Sequence, residues 1–276
     1  MTVPSKIGDL GKYGNWIRAM IVADAGFGKT VFCGTAKNAL FLTTDPEGTI
    51  SAKVFGSTAK EWKIESWTEF NESYRYLRDG GIKELNLGVV IVDNISEAQN
   101  LGMTETMHIA RDRNKGLDEF VPTQQDYQRS QNMLRQMVKQ FHDLPVHIIW
   151  TAWQKVEEDR EGNPYFAPGI HGQQGMLAQT IAGYMNIVGY GEVLKNSKDE
   201  EVRRLWFSQS GSFRGKDRFN VLGRYRDRLD VPKMLTLVER AIREMEKNPS
   251  TSTNVTPIKK KSALAPRRAV QPRKKA

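Results

Sequence analysis

The sequence predicts an α/β fold: a mainly parallel central sheet flanked by helices, followed by a C-terminal antiparallel hairpin and a disordered basic tail. Three observations carry this. Apolar runs of strand length, Ile17 to Val22, Ala39 to Thr43, Leu87 to Val92 and Val146 to Trp150, alternate with longer stretches of helical spacing. A glycine-bearing loop, Ala23 to Thr30, joins the first run to a segment that continues as a helix. Further on, two β-rich runs, Tyr184 to Leu194 and Val202 to Ser208, flank a polar turn from Lys195 to Glu201.

The first loop reads Ala23-Asp24-Ala25-Gly26-Phe27-Gly28-Lys29-Thr30 and has the chemistry of a phosphate cradle. Gly26 and Gly28 allow successive N–H groups to point into one concavity. Lys29 supplies a positive charge for the β and γ phosphates, and Thr30 a hydroxyl for Mg²⁺ at a helix N-terminus. Ala23 stands where the usual pattern has its first glycine, which a methyl group tolerates if φ is negative. The chain is expected to bind a nucleoside triphosphate, ATP, with Mg²⁺.

The helix after the loop is expected over Val31 to Lys37, and the strand Ala39 to Thr43 ends at Thr44-Asp45-Pro46-Glu47-Gly48. Ile64 to Trp67 suggests another strand end, and Trp67, Phe70, Tyr74 and Leu77 share a helix face up to Gly80-Gly81. Leu87 to Val92 is suited to a strand buried on both faces and delivers Asp93 to its end, where a carboxylate can hold a Mg²⁺-bound water. Helices are expected from Ser96 to about Arg113 and from Thr123, as N-cap, to about His142. Val146 to Trp150 then ends in Thr151-Ala152-Trp153-Gln154. Polar residues at that tip face the same crevice, making Thr151 and Gln154 candidate γ-phosphate sensors or simply strand caps. A final helix is expected over Val231 to Met245.

Length favours one domain, 1–247, plus a tail, 248–276. The tail carries eight of the nine net positive charges and lacks aromatic residues, so it is expected to be disordered, either solubilising or binding nucleic acid. Cys33 is the only cysteine, and no secretory leader pattern is visible, which points to the cytoplasm. No apolar run approaches the roughly 20 residues that cross a bilayer, so no membrane role is expected. His108, His142, His147 and His171 are scattered and suggest no metal cage.

Four pieces in this order, Ala23 to Thr30, Asp45-Pro46-Glu47, the strand with Asp93, and Ile148 to Gln154, resemble the RecA superfamily of P-loop NTPases. The closer resemblance is to small phage-encoded RecA-like ATPases, including Sak-type single-strand-annealing recombinases. A fifth piece, Arg214-Gly215-Lys216-Asp217-Arg218, looks like the trans-acting finger segment of that group. The resemblance spans about Trp16 to Leu222. It implies that Glu47, or else Asp45, polarises the attacking water while Asp93 serves the metal. It also implies that Lys216 and Arg218 reach a neighbouring subunit's nucleotide in a ring or filament in the bacterial host cytoplasm; DNA phosphates are the competing target for Arg214, Lys216 and Arg218.

Single-stranded DNA is the implied partner, and a single-strand-binding protein a further candidate. The segment after Gln154, with Lys155, Arg160, Tyr165, Phe166 and His171, corresponds to a DNA-facing loop, although Glu157, Glu158, Asp159 and Glu161 make it acidic. Arg111, Arg113 and Lys115 form a second basic loop. Two other functions fit the same phosphate loop: a small-molecule kinase, and a DNA-binding or packaging accessory that uses the nucleotide as a switch.

Overall fold

The computed structural model describes residues 16–45, 47–172 and 175–247; the basic tail, 248–276, lies outside them. The chain opens with β1 (Arg18–Ala23), α1 (Lys29–Gly34), β2 (Ala39–Thr43), α2 (Ile50–Val54) and β3 (Lys60–Lys63). Helix α3 (Trp67–Tyr76) runs through a π turn (Leu77–Gly81) into α4 (Ile82–Glu84), followed by β4 (Val89–Asp93), α5 (Ile95–Arg113) and α6 (Gln124–His142). Next come β5 (His147–Glu158), β6 (Pro164–Pro168), α7 (Met176–Tyr184), β7 (Ile187–Lys195) and β8 (Glu201–Trp206). Short strands β9 (Gln209–Ser210), β10 (Phe213–Arg214), β11 (Lys216–Asp217) and β12 (Tyr225–Asp227) precede α8 (Val231–Lys247).

The main sheet runs β12-β8-β7-β1-β5-β4-β2-β3. From β3 to β7 all neighbours are parallel, and β8 and β12 add an antiparallel edge. This is the expected α/β arrangement, hairpin included. Strand alternation feeds two cores: Met20 and Val22 point to the face covered by α3, α5, α6 and α7, while Ala19, Ile21 and Ala23 point to the face covered by α1 and α8. The parallel strands end at one rim, where Ala23, Thr43, Asp93 and Thr151 lie side by side.

Several expectations need correction. The strand placed at Ile64 to Trp67 lies earlier, at β3; its charged sequence Lys-Glu-Trp-Lys suits an exposed sheet edge, and Ser66 instead caps α3 through Glu69 N–H. Strand β5 does not stop at Trp150 but continues to Glu158 and returns through β6, so the expected DNA-facing loop is a β-hairpin. Tyr165 is buried there and accepts a hydrogen bond from Gln179 Nε2, so it cannot stack on bases. Tyr184 belongs to α7, not to the following strand.

At the opposite rim a cationic side chain is built into the core. Buried Arg18 donates to the carbonyls of Val146, His142 and Leu144 and ties α6 to β5. Burial lowers its pKa to about 10, opposed by Asp143. Its neighbours His142 and His147 are held neutral. Trp150 Nε1 donates to His142 Nε2 at 3.1 Å, and Ile17 N–H donates to His147 Nδ1 at 3.0 Å, so both acceptor nitrogens must be unprotonated. Burial, with the Arg18 charge adding, lowers His142 to about 3 and His147 to about 4 from 6.5.

Between about pH 6.5 and those values the unfolded chain binds protons that the folded chain does not, so stability is full above pH 6.5 and falls on acidification. Each histidine contributes a slope of about 1.4 kcal/mol per pH unit. Thermal melts are expected to be flat from pH 8 to 7 and to drop steadily from pH 6.5 to 5, above the carboxylate range. His147→Gln should flatten that drop; a melting temperature constant down to pH 5 would refute the assignment.

Candidate nucleotide site

The phosphate loop begins where β1 ends. Ala23 closes that strand with its methyl buried, and it is absent from the residues with positive φ, so the departure from glycine carries no strain. Gly26 and Gly28 do require the left-handed region, with φ of 83° and 89°. Gly28 is the N-cap of α1, which turns the helix N-terminus toward the loop concavity. Asp24 and Ala25 are exposed, Ala25 bordering the cleft, whereas Phe27 is buried against the sheet.

Lys29 folds back over this loop, its Nζ donating to Ala23 O at 2.8 Å and Asp24 O at 3.0 Å. Burial lowers its pKa, opposed by Asp93 and then Asp24. Asp93, delivered by β4 and buried, is shared by two hydroxyls: Thr30 Oγ1 donates to Oδ2 at 2.7 Å, and Thr151 Oγ1 donates to Oδ1. The topology makes this possible, since β5 lies between β1 and β4 and its tip therefore stands between the loop and the acid. A cleft of about 410 Å³ opens over these groups.

The donor set fits Mg²⁺, a hard cation that takes oxygen ligands and retains waters. Thr30 Oγ1 and the Asp93 carboxylate, already in contact, are the two side chains that would hold it. Bound there beside phosphates it would neutralise charge on the β and γ oxygens. Among the described residues there is no cluster of three or more His, Cys, Asp or Glu that could hold a metal, and a Mg²⁺ here would take waters and phosphate oxygens as its other ligands.

The structure separates the two acids of the Asp45-Pro46-Glu47 segment. Asp45 lines the cleft; Glu47 is exposed and is not among its lining residues, its N–H donating to Asp45 Oδ1 at 3.2 Å. Gln154 lies midway along β5, outside the cleft lining, its Nε2 3.4 Å from Asp24 Oδ2 and its Oε1 buried without a partner among the described residues. Lys216 and Arg218 lie elsewhere. Lys216 pairs with Val188 near the start of β7, and both side chains donate to Gly183 O, at 2.9 Å each. They therefore stand at the sheet end away from the phosphate loop. Burial lowers the Lys216 pKa, with Arg218 adding to the effect.

One cation of the site escaped sequence reasoning. Arg203, on β8, donates from Nε to Phe27 O at 2.7 Å and approaches Gly28 closely, lining the cleft from the hairpin side. Its partner is 176 residues away, and only the strand alternation that buries Leu205 could have indicated which face it takes. Of the other basic groups considered, Arg111 pairs with Glu119, Lys115 with Asp112 and Lys155 with Glu157, while Arg113 is exposed. Arg160 is exposed at the turn between β5 and β6, Phe166 packs on Phe213, and His171 is exposed with its backbone held by Gln99.

No helix among the described residues is long and apolar enough to cross a membrane. Compared with known proteins, the chain matches no curated relative. A family described as AAA domain matches residues 15–219, which include every part of the phosphate cleft. The chain belongs to that AAA domain family and is a P-loop ATPase of the AAA type.

Proposed function

We propose that this ATPase uses ATP and Mg²⁺ to work on single-stranded DNA as an assembly of copies, in phage DNA recombination or annealing. The observation that carries the hydrolytic part is the carboxylate of Asp93 held jointly by Thr30 and Thr151 beneath the phosphate loop, with Lys29 alongside. In this reading the loop N–H groups and Lys29 bind the phosphates, and Arg203 adds a second cation from β8. Asp45 polarises the attacking water, replacing Glu47 in that role because only Asp45 borders the cleft. Thr151 reports on the γ-phosphate through its bond to Asp93, and Gln154, outside the cleft lining, turns in to join it when nucleotide binds.

Lys216 and Arg218, remote from the cleft of their own chain, serve the nucleotide of a neighbouring copy. For DNA, support comes from the β8 and β12 edge. There Arg204, itself paired with Asp227 through Nε at 2.7 Å, lies 3.8 Å from the ring centroid of exposed Tyr225, and Trp206 stacks on Phe213 at 5.2 Å and 11°. Arg224 lies over the same Trp206 ring, at 5.5 Å. Cations interleaved with aromatic faces bind nucleic-acid backbone and bases without sequence choice.

Phosphate release should be measured with and without single-stranded oligonucleotide over a range of salt. A several-fold stimulation that fades as salt rises is expected. A rate indifferent to DNA at every salt concentration would remove the DNA part of the proposal and return the small-molecule kinase to contention.

A further inference from the structure

The main sheet ends on one side at β3, and a cavity of about 510 Å³ lies between that strand and α2. Helix α2 separates it from the phosphate cleft: Ser51 lines the cleft, whereas Ile50 and Lys53 line the cavity. We propose that this edge takes up an extended acidic segment of another protein as an added strand, with an apolar side chain of that segment seated in the cavity.

The first support is an open backbone edge. Ile64 N–H donates to Thr43 O, so alternation in a parallel pair turns Trp62 and Ile64 toward β2 and turns the N–H and C=O of Glu61 and Lys63 outward. Among the described residues nothing pairs with those outward groups, and such a row is the template that strand addition uses. The second is charge. Lys53, Lys60 and Lys63 border the cavity against one acid, Glu61, and none of these lysines joins an ion pair among the described residues. The third is apolar surface. Buried Phe41 and Ala52 line the cavity, and Ile50 and Val54, one turn apart on α2, are 58% and 75% exposed, although both gain by burial.

The same features select among occupants. Lysines on an edge turn away cationic strands and admit an acidic one. Pairing Lys-Glu-Trp-Lys with a second copy of itself, antiparallel and in full register, sets Lys60 opposite Lys63, like charges face to face. Nucleic acid would find phosphate partners here but no base-stacking ring, because Trp62 turns to the other face of the sheet and meets Tyr76 edge-on, 5.7 Å between centroids.

The test is fluorescence anisotropy of the full chain with a labelled decapeptide that alternates Asp and Val around a central Phe. Binding on the order of 10 µM is expected, weakening as salt rises. Lys53→Glu combined with Lys63→Glu should weaken it roughly tenfold or more and should instead bind the version of the peptide with Lys in place of Asp. Both positions are exposed, and thermal melting checks that the fold is kept. Strand addition is read on wild type from two further peptides, each N-methylated on alternate residues: the set that blocks the side toward β3 should lose binding roughly tenfold, and the complementary set should keep it. No binding of the acidic decapeptide, or equal binding by the two methylated sets, would overturn the proposal. So would displacement of the peptide by a single-stranded oligonucleotide that the double variant also fails to bind, which gives the surface to nucleic acid. A dimer in sedimentation that the double variant abolishes would overturn it in favour of a second copy.

Discussion

Lys29→Ala is expected to lower ATP hydrolysis on the order of 10²–10³-fold while leaving the fold unchanged. Lys29 is the cation placed by the phosphate loop itself, and removing one preorganised charge-stabilising donor from a water-poor site has this order of effect on turnover. The fold should survive because, among the described residues, Nζ is hydrogen-bonded to just two loop carbonyls, Ala23 O and Asp24 O, and not to either core. Phosphate release measures the loss, and far-UV circular dichroism with thermal melting checks the fold. Wild-type turnover in the variant would reject the site.

The second large effect separates two neighbouring acids. Asp45→Asn is expected to cut turnover about 10²–10⁴-fold with ATP still bound, the range for loss of a general base, whereas Glu47→Gln should change it little. The asparagine keeps the shape that closes the Asp45 turn, in which Gly48 N–H donates to Asp45 O and Thr43 Oγ1 donates to the same carbonyl. Single-turnover hydrolysis with pre-bound ATP reads chemistry apart from affinity. The reverse ranking, a crippled Glu47→Gln beside an active Asp45→Asn, would move the water-polarising role to Glu47.

The parts of this molecule that were legible in the sequence are those whose information is local. Ala39 to Thr43 and the Val-Val-Ile-Val run before Asp93 are continuous apolar strands buried on both faces, and the structure puts β2 and β4 there. Thr123 announced α6 as its N-cap, to which the structure adds a capping box with Asp126. The loop from Ala23 to Thr30 was recognisable because spacing alone sets the positions of its glycines, Lys29 and Thr30.

What was not legible depends on distant pairing. Beyond Gln154 the residues are charged and half exposed, so nothing in Lys155 to Glu158 favours a strand until Tyr165 and Ala167 return beside it; the one local hint is the turn at Gly162, φ 78°. Arg203 sits beside Arg204 in a strand whose local sequence does not single it out, and its role exists only because β7 and β8 bring it over Phe27. The choice between Asp45 and Glu47 was open for the same reason: two residues apart in a turn, they differ only in where the chain bends.

Strand β5 has a mechanical consequence. Its first half is clamped between β1 and β4, and the same unbroken strand carries on past Thr151 and Gln154 into the β6 hairpin. Bonds from Gln179 to Tyr165 and from Phe166 N–H to Ser212 O brace that hairpin against the body, so the one backbone that links its turn near Arg160 to Thr151 also links it to the hydroxyl that grips Asp93.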